Sequence, residues 1–216
     1  MGDISDFEGM ADRSDLNVLF VLIDTLRADR LGGYGYERAT SPFLDELSSS
    51  GIRFARNLAQ SSWTKASMAS LWTGLYPLRA GVTKFDHALA SEALLPAEVL
   101  SDAGYRTAGL YRNGWVSGYF GFDQGFGNYY KPAGKSISRS ILQENPNITD
   151  RGADSDLTAD AIEFLRIHGD ERWFLYLHMM DLHEFVYDEE SAVFGTGNSD
   201  IYDNSILRVD SILKRL

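Results

Sequence analysis

Two side chains in this 216-residue sequence stand where ester-cleaving chemistry could be done, an aspartate closing an apolar run and a threonine opening a run of small residues. Asp24 ends Asn17-Val-Leu-Phe-Val-Leu-Ile-Asp24-Thr25. Thr64 lies in Trp63-Thr64-Lys65-Ala66-Ser67-Met68-Ala69-Ser70-Leu71-Trp72-Thr73-Gly74. A threonine hydroxyl is a weak nucleophile at neutral pH until a base or a metal ion lowers its pKa. Thr64 therefore needs a partner, and Asp24 holding a cation would be one. Each residue also has a plainer use: Asp24 could cap the turn after its run, and Thr64 could cap a helix.

The elements that would position them follow from pattern. Val18 to Ile23 is unbroken, β-branched in part and too short to cross a bilayer, as expected of a parallel strand covered on both faces. In open α/β sheets ligands gather beyond the carboxyl ends of strands, where Asp24 would sit. The small residues after Thr64 let a helix N-terminus, with its free N–H groups, come close to an anion. Ser41-Pro42 starts a helix that Gly51 ends. Leu95, Val99, Leu100 and Ala103 form one apolar face before Gly104, and Thr107 to Tyr111 follows as a short strand. Leu157, Ala161, Phe164 and Leu165 repeat the pattern ahead of Gly169 and a strand at 173–179. A last helix, 202–216, carries Ile206, Val209, Ile212 and Leu213 on one face. This alternation predicts a doubly wound α/β sheet. Residues 113–151, rich in Gly, Ser, Asn and aromatics, are expected to run as a long excursion over the active-site edge.

These residues carry a resemblance. Asp24-Thr-Leu-Arg-Ala-Asp-Arg-Leu-Gly-Gly-Tyr-Gly-Tyr36, Thr40-Ser-Pro-Phe-Leu-Asp-Glu-Leu47, Gly51-Ile-Arg-Phe54 and Ala69-Ser-Leu-Trp-Thr-Gly-Leu-Tyr-Pro77 are similar to the N-terminal half of the sulfatase family, within the alkaline phosphatase superfamily. Leu95-Pro-Ala-Glu-Val-Leu-Ser-Asp-Ala-Gly-Tyr-Arg-Thr-Ala108, Gly121-Phe-Asp-Gln-Gly-Phe126 and Phe174-Leu-Tyr-Leu-His-Met-Met-Asp-Leu-His183 extend it. The resemblance implies an alkaline-phosphatase-like three-layer α/β/α sandwich with a mostly parallel sheet. Residues 16–216 would be the N-terminal part of a hydrolase domain, after an acidic, flexible lead-in at 1–15. It further implies a divalent metal ion (calcium, zinc or manganese), with Asp24 and Thr64 at the metal, Thr64 as nucleophile and His183 contacting the anion or protonating the leaving oxygen. Lys65, Arg112 and Asn113 would be substrate-binding residues. The plainer alternatives are a surface histidine, a solvated lysine at a helix end and two ordinary loop residues. Asp181 is a weaker candidate, and His178, inside the strand pattern, reads as a core residue.

Departures from the family pattern shape the expected chemistry. Thr64, Ala66 and Met68 stand where many sulfatases place the Cys or Ser that becomes formylglycine, then Pro and Arg. Threonine cannot become formylglycine, and the chain has no cysteine. A Thr nucleophile instead resembles the phosphodiesterase, phosphonate and phosphoethanolamine branches. Thr25 replaces a second aspartate, which weakens a calcium site. In the family the last helix leads to a strand with an Asp-His or Asp-Asn metal pair, so the chain reads as a fragment whose metal site is incomplete. The expected activity is a metal-dependent hydrolysis of sulfate or phosphate/phosphonate esters. The alternative is a non-catalytic, truncated or anion-binding relative.

Composition limits partners. At 44% hydrophobic and 12% aromatic residues the chain can bury a sizeable core. Its net charge of -11 argues against nucleic acid and anionic membranes, and for a small anionic ester drawn in by local charge. No signal peptide and no run long enough to span a bilayer is visible, so a cytoplasmic location is the default expectation.

Overall fold

The computed structural model describes residues 15–134 and 152–216. The acidic lead-in, except Asp15, and the 135–151 part of the predicted excursion lie outside them. Four parallel strands form one sheet: β1 (Val18–Ile23), β2 (Arg106–Tyr111), β3 (Asn128–Tyr130) and β4 (Trp173–Met179), in the order β1-β4-β2-β3. Five α-helices accompany them among the described residues: α1 (Pro42–Ser50), α2 (Thr64–Thr73), α3 (Pro96–Asp102), α4 (Asp154–His168) and α5 (Asn198–Leu213). The predicted α/β architecture is the one observed.

Side-chain alternation along β4 divides the core into two layers. Leu175, Leu177 and Met179 face a cluster with Leu157 and Ala161 of α4 and Ile206, Val209, Ile212 and Leu213 of α5. Phe174 and Tyr176 face the other way, onto Met68, Ala69 and Trp72 of α2 and Ala97 of α3. With both faces covered, β4 is buried from Phe174 to Met179, which is why it reads as continuous apolar sequence.

The strand register places the site. Ile23 lies beside Met179, and Tyr111 beside His178. Because the strands are parallel, the segments beginning at Asp24, Arg112 and Met180 leave the sheet together at its carboxyl edge. Thr64, the first residue of α2, reaches that edge from the layer containing Trp72 and Tyr176.

Two elements differ from their sequence expectation. The last helix begins at Asn198 rather than near residue 202, since Asp200 accepts the Gly197 N–H at 3.2 Å and closes the first turn. Strand β3 lies within the predicted excursion. It forms because Gly109 of β2 leaves room for the Tyr129 ring, which a Cβ at 109 would strike.

Gly125, in the matched segment Gly121–Phe126, sits at φ +80°, where a Cβ would overlap the backbone of Ala97 and Glu98 in α3. Its carbonyl accepts the Thr107 hydroxyl at 2.7 Å, tying the turn to β2. Gly125→Ala is expected to destabilise the fold by on the order of 3 kcal/mol, through left-handed strain and overpacking together. Urea denaturation measures it, and a loss below about 1 kcal/mol would mean that the turn relaxes without cost.

Candidate active site

Asp24 is the hub. Its Oδ2 accepts three side-chain donors: Asn113 Nδ2 at 2.7 Å, Thr64 Oγ1 at 3.2 Å and His178 Nε2 at 3.2 Å. Asn113 Nδ2 also lies 3.3 Å from Thr64 Oγ1, while its Oδ1 accepts the Trp115 N–H at 3.0 Å, which fixes the amide's orientation. Thr64 is the first helical residue, and the residue before it provides no side-chain cap. Its hydroxyl is directed at Asp24 rather than at its own helix.

His178 completes the hub. Its Nδ1 lies 2.6 Å from the Tyr176 hydroxyl, and both residues are fully buried. Burial first, then the charges of Tyr129 and Asp24, hold the Tyr176 phenol well above its ordinary pKa, so it stays protonated and donates to Nδ1. That places the imidazole proton on Nε2, facing Asp24. Burial raises the Asp24 pKa, but the hydrogen bond from His178, the Asn113 amide and the charge of His183 outweigh it, and the net shift is downward. Asp24 is therefore held as a carboxylate. The sequence reading of His178 as a core residue caught its burial and missed this contact. The signal available was period two: with Tyr176 on one face of β4, His178 two residues on must share that face at the strand's end.

The hub opens on a cleft of about 820 Å³ lined by Asp24, Thr64, Asn113 and His183, with Trp63, Met68, Trp115 and Phe120 among its apolar walls. His183 is exposed there. Thr25, at the rim, has φ 63°, an unusual conformation for a β-branched residue. Tyr202 holds it by donating to the Thr25 carbonyl at 2.7 Å and accepting the Arg27 N–H at 3.0 Å. Such backbone strain costs about 1–3 kcal/mol and persists only where surrounding contacts fix it.

Two residues proposed for substrate binding point elsewhere. The Lys65 side chain is fully buried, with Nζ donating to the carbonyls of Phe85 and His87, each at 2.6 Å. Being one residue on from Thr64 in a helix, it projects about 100° around the axis from it. The Arg112 guanidinium is buried among carboxylates, 3.0 Å from Asp154 and paired with Asp181, with Glu184 at 3.6 Å. Asp181 also belongs to this ion cluster, where Arg208 meets it at 3.3 Å. The structure thus brings together Asp24, Thr64, Asn113 and His183, adds His178, and turns Lys65 and Arg112 inward.

For a metal ion, the two expected ligands, Asp24 and Thr64, stand 3.2 Å apart at the hub. Asp24 Oδ1 takes none of the three bonds described and is the oxygen a cation could use. Among the described residues no group of three or more His, Asp or Glu side chains is arranged to hold one. They do not by themselves form a metal site.

A model of the sulfatase family matches residues 16–216. The chain belongs to the sulfatase family. Arylsulfatase A from Bos taurus is 36% identical over an alignment of 105 residues that covers 46% of this sulfatase-family chain and 21% of that relative. The soluble domain of lipooligosaccharide phosphoethanolamine transferase A from Neisseria meningitidis superposes with a TM-score of 0.65 at 19% identity, covering 94% of this chain and 62% of that one. An alkaline phosphatase superfamily protein from Vibrio parahaemolyticus gives a TM-score of 0.65 at 20% identity, over 92% and 48% of the two chains. At these identities the structural likeness speaks for the fold. The aligned segment spans about a fifth of the bovine relative's length. Among the described residues no helix is long and apolar enough to cross a membrane.

Proposed function

We propose that this sulfatase-family chain forms the nucleophile-bearing part of an ester hydrolase site acting on phosphate, phosphonate or sulfate esters, with Thr64 as the attacking residue. The observation that carries the reading is the Thr64 hydroxyl, 3.2 Å from the Asp24 carboxylate and within reach of the Asn113 amide at the floor of a cleft that His183 also lines. Thr64 Oγ attacks phosphorus or sulfur and gives its proton to Asp24. The bond to the leaving oxygen breaks as His183 protonates that oxygen; water, giving a proton to the now neutral His183, then attacks phosphorus or sulfur, the bond to Thr64 Oγ breaks, and Thr64 takes its proton back from Asp24. Asn113 holds both Asp24 and Thr64 in place and offers an amide N–H toward developing negative charge. The free N–H groups of the first turn of α2 favour an anion beside Thr64.

A divalent cation at Asp24 Oδ1 would lower the Thr64 pKa and polarise the ester. Asp24 and Thr64 would hold it together with the substrate's own oxygens, and cation dependence belongs to the proposal. Phosphorus is favoured over sulfur because threonine cannot form the formylglycine that many sulfatases use. A small anionic ester is the expected partner.

The test offers an aryl phosphate diester and an aryl sulfate with divalent cations, and examines the Thr64 peptide by mass spectrometry after an acid quench. Expected are faster turnover of the phosphate diester, loss of turnover on chelation and a phosphoryl group trapped on Thr64. Turnover that continues with no covalent adduct at Thr64 in single-turnover conditions would count against the nucleophile. A chain that turns over neither ester while binding inorganic phosphate at the cleft would be an anion-binding relative without catalysis.

A further inference from the structure

Lys65 carries more of the cleft's architecture than its inward turn suggests. Its ammonium sits 3.8 Å from the centre of the Phe120 ring and 5.2 Å from those of Trp63 and Trp115. Its two hydrogen bonds go to the carbonyls of Phe85 and His87, so three separate stretches of chain (Trp63, 85–87 and 115–120) converge on one cation. The rings also touch each other, with Trp63 and Trp115 edge-on at 5.6 Å, and Trp115 and Phe120 at 5.6 Å. Trp63, Trp115 and Phe120 all line the cleft that holds Thr64.

Burying an ammonium group is costly, and the two carbonyls and three ring faces offset that cost. An apolar side chain would fill the same space at no such cost. What it would lack is direction: the cation fixes where each ring face and each carbonyl must lie. The Trp115 backbone N–H, bonded to Asn113 Oδ1, ties the chain that carries this ring to the residue that holds Asp24 and Thr64.

We propose that Lys65 is a positioning residue whose buried ammonium sets Trp63, Trp115 and Phe120 as a ring-faced wall beside Thr64, against which a planar or ring-shaped leaving group lies. This rests on the cleft being the ester site. It gives Lys65 a role exerted through the aromatic rings, without contact with the substrate's anionic centre.

The experiment separates binding from turnover by using two non-hydrolysable probes, phenylphosphonate and methylphosphonate, in calorimetric titrations of the wild type, Lys65→Met and Trp115→Ala. The wild type should bind phenylphosphonate about fivefold to tenfold more tightly, the range expected for one aromatic contact. In both variants the preference should shrink to within about twofold. In Lys65→Met the near-ultraviolet circular dichroism of the tryptophans should also change while the far-ultraviolet spectrum is retained, a signature of reoriented rings in a folded chain.

Equal binding of the two probes by the wild type would overturn the ring wall and leave the ester site standing. Binding of neither would remove the ester site, and this inference with it. A preference that survives Lys65→Met would show that the rings hold themselves. A Lys65→Met chain that does not fold would make Lys65 a folding residue and overturn the positioning role.

Discussion

Thr64→Ala is expected to lower kcat for aryl phosphate diesters by at least about 10³-fold, with little change in the binding of inorganic phosphate. The reasoning is local. The hydroxyl is the one group removed, and its absence takes away the atom that forms the covalent bond in the proposed mechanism. The Asp24 carboxylate keeps two of its three donors, Asn113 and His178, so the hub should stay in place. The first residue of α2 provides no cap to its own helix, so alanine there costs the fold little. Thr64→Ser should recover activity to within about tenfold of the wild type, since it restores the hydroxyl and loses only a methyl group that restricts its rotamers. The decisive measurement is a single-turnover assay with metal present. Thr64→Ala turnover at wild-type rate would sink the nucleophile assignment, and failure of Thr64→Ser to exceed Thr64→Ala would do the same.

Much of this arrangement was legible from residue order. Strand β4 and the end of α1 at Ser50 were marked by apolar runs, a proline and a glycine. Parallel pairing then requires the segments after β1, β2 and β4 to emerge at one edge, which groups Asp24, Asn113 and His183 from the order of the elements alone. What could not be read was the direction of long side chains. The family resemblance puts Lys65 and Arg112 at the substrate, yet each meets partners remote in sequence that no local pattern announces. Asp210 is a similar case. It lies on α5 and accepts the N–H groups of Phe43 and Leu44 at 3.0 and 2.8 Å, satisfying the first turn of α1 from another helix. Ser41, the residue a sequence reading would choose as the cap, makes no such bond to its helix backbone. His178 was hidden for the opposite reason, since a histidine within an apolar strand is more commonly a core residue with satisfied nitrogens, and here it is that and a partner of Asp24 as well.

The second large effect belongs to Arg112. Replacing it with methionine should destabilise the fold by about 3–5 kcal/mol, because it strands carboxylates that have no access to water. Asp154 and Asp181 are both fully buried, and Arg112 is 2% exposed between them. Asp154 and Asp181 also clamp the backbone. Asp154 accepts the N–H groups of Met180 and Asp181, each at 2.8 Å, and Asp181 accepts that of Asp154 at 3.0 Å, locking the end of β4 to the start of α4. The deficit should depend on pH. Burial, and then the negative charge of Asp181, raise the Asp154 pKa to about 7 from its ordinary 3.8, against the opposing pull of Arg112. A carboxyl group whose pKa is raised on folding contributes stability below its unfolded pKa. That contribution is lost as pH climbs toward the folded value, here between about 4 and about 7. Without Arg112 nothing comparable favours the ionised form of Asp154, so the penalty should be smaller near about pH 5, where Asp154 keeps its proton and Asp181 alone loses its partner, than near about pH 8. Arg112→Lys should fall between, since an ammonium restores charge without the planar fork that meets two carboxylates. Urea midpoints at the two pH values measure both effects. A deficit below about 1 kcal/mol at the higher pH, or one that shrinks as pH rises, would show that the cluster does not bear on stability in this way. Because Arg112 directly precedes Asn113 and Asp181 lies two residues before His183, the same clamp fixes two of the four residues that meet in the cleft. Loss of Arg112 should therefore cost turnover even at pH values where the chain remains folded.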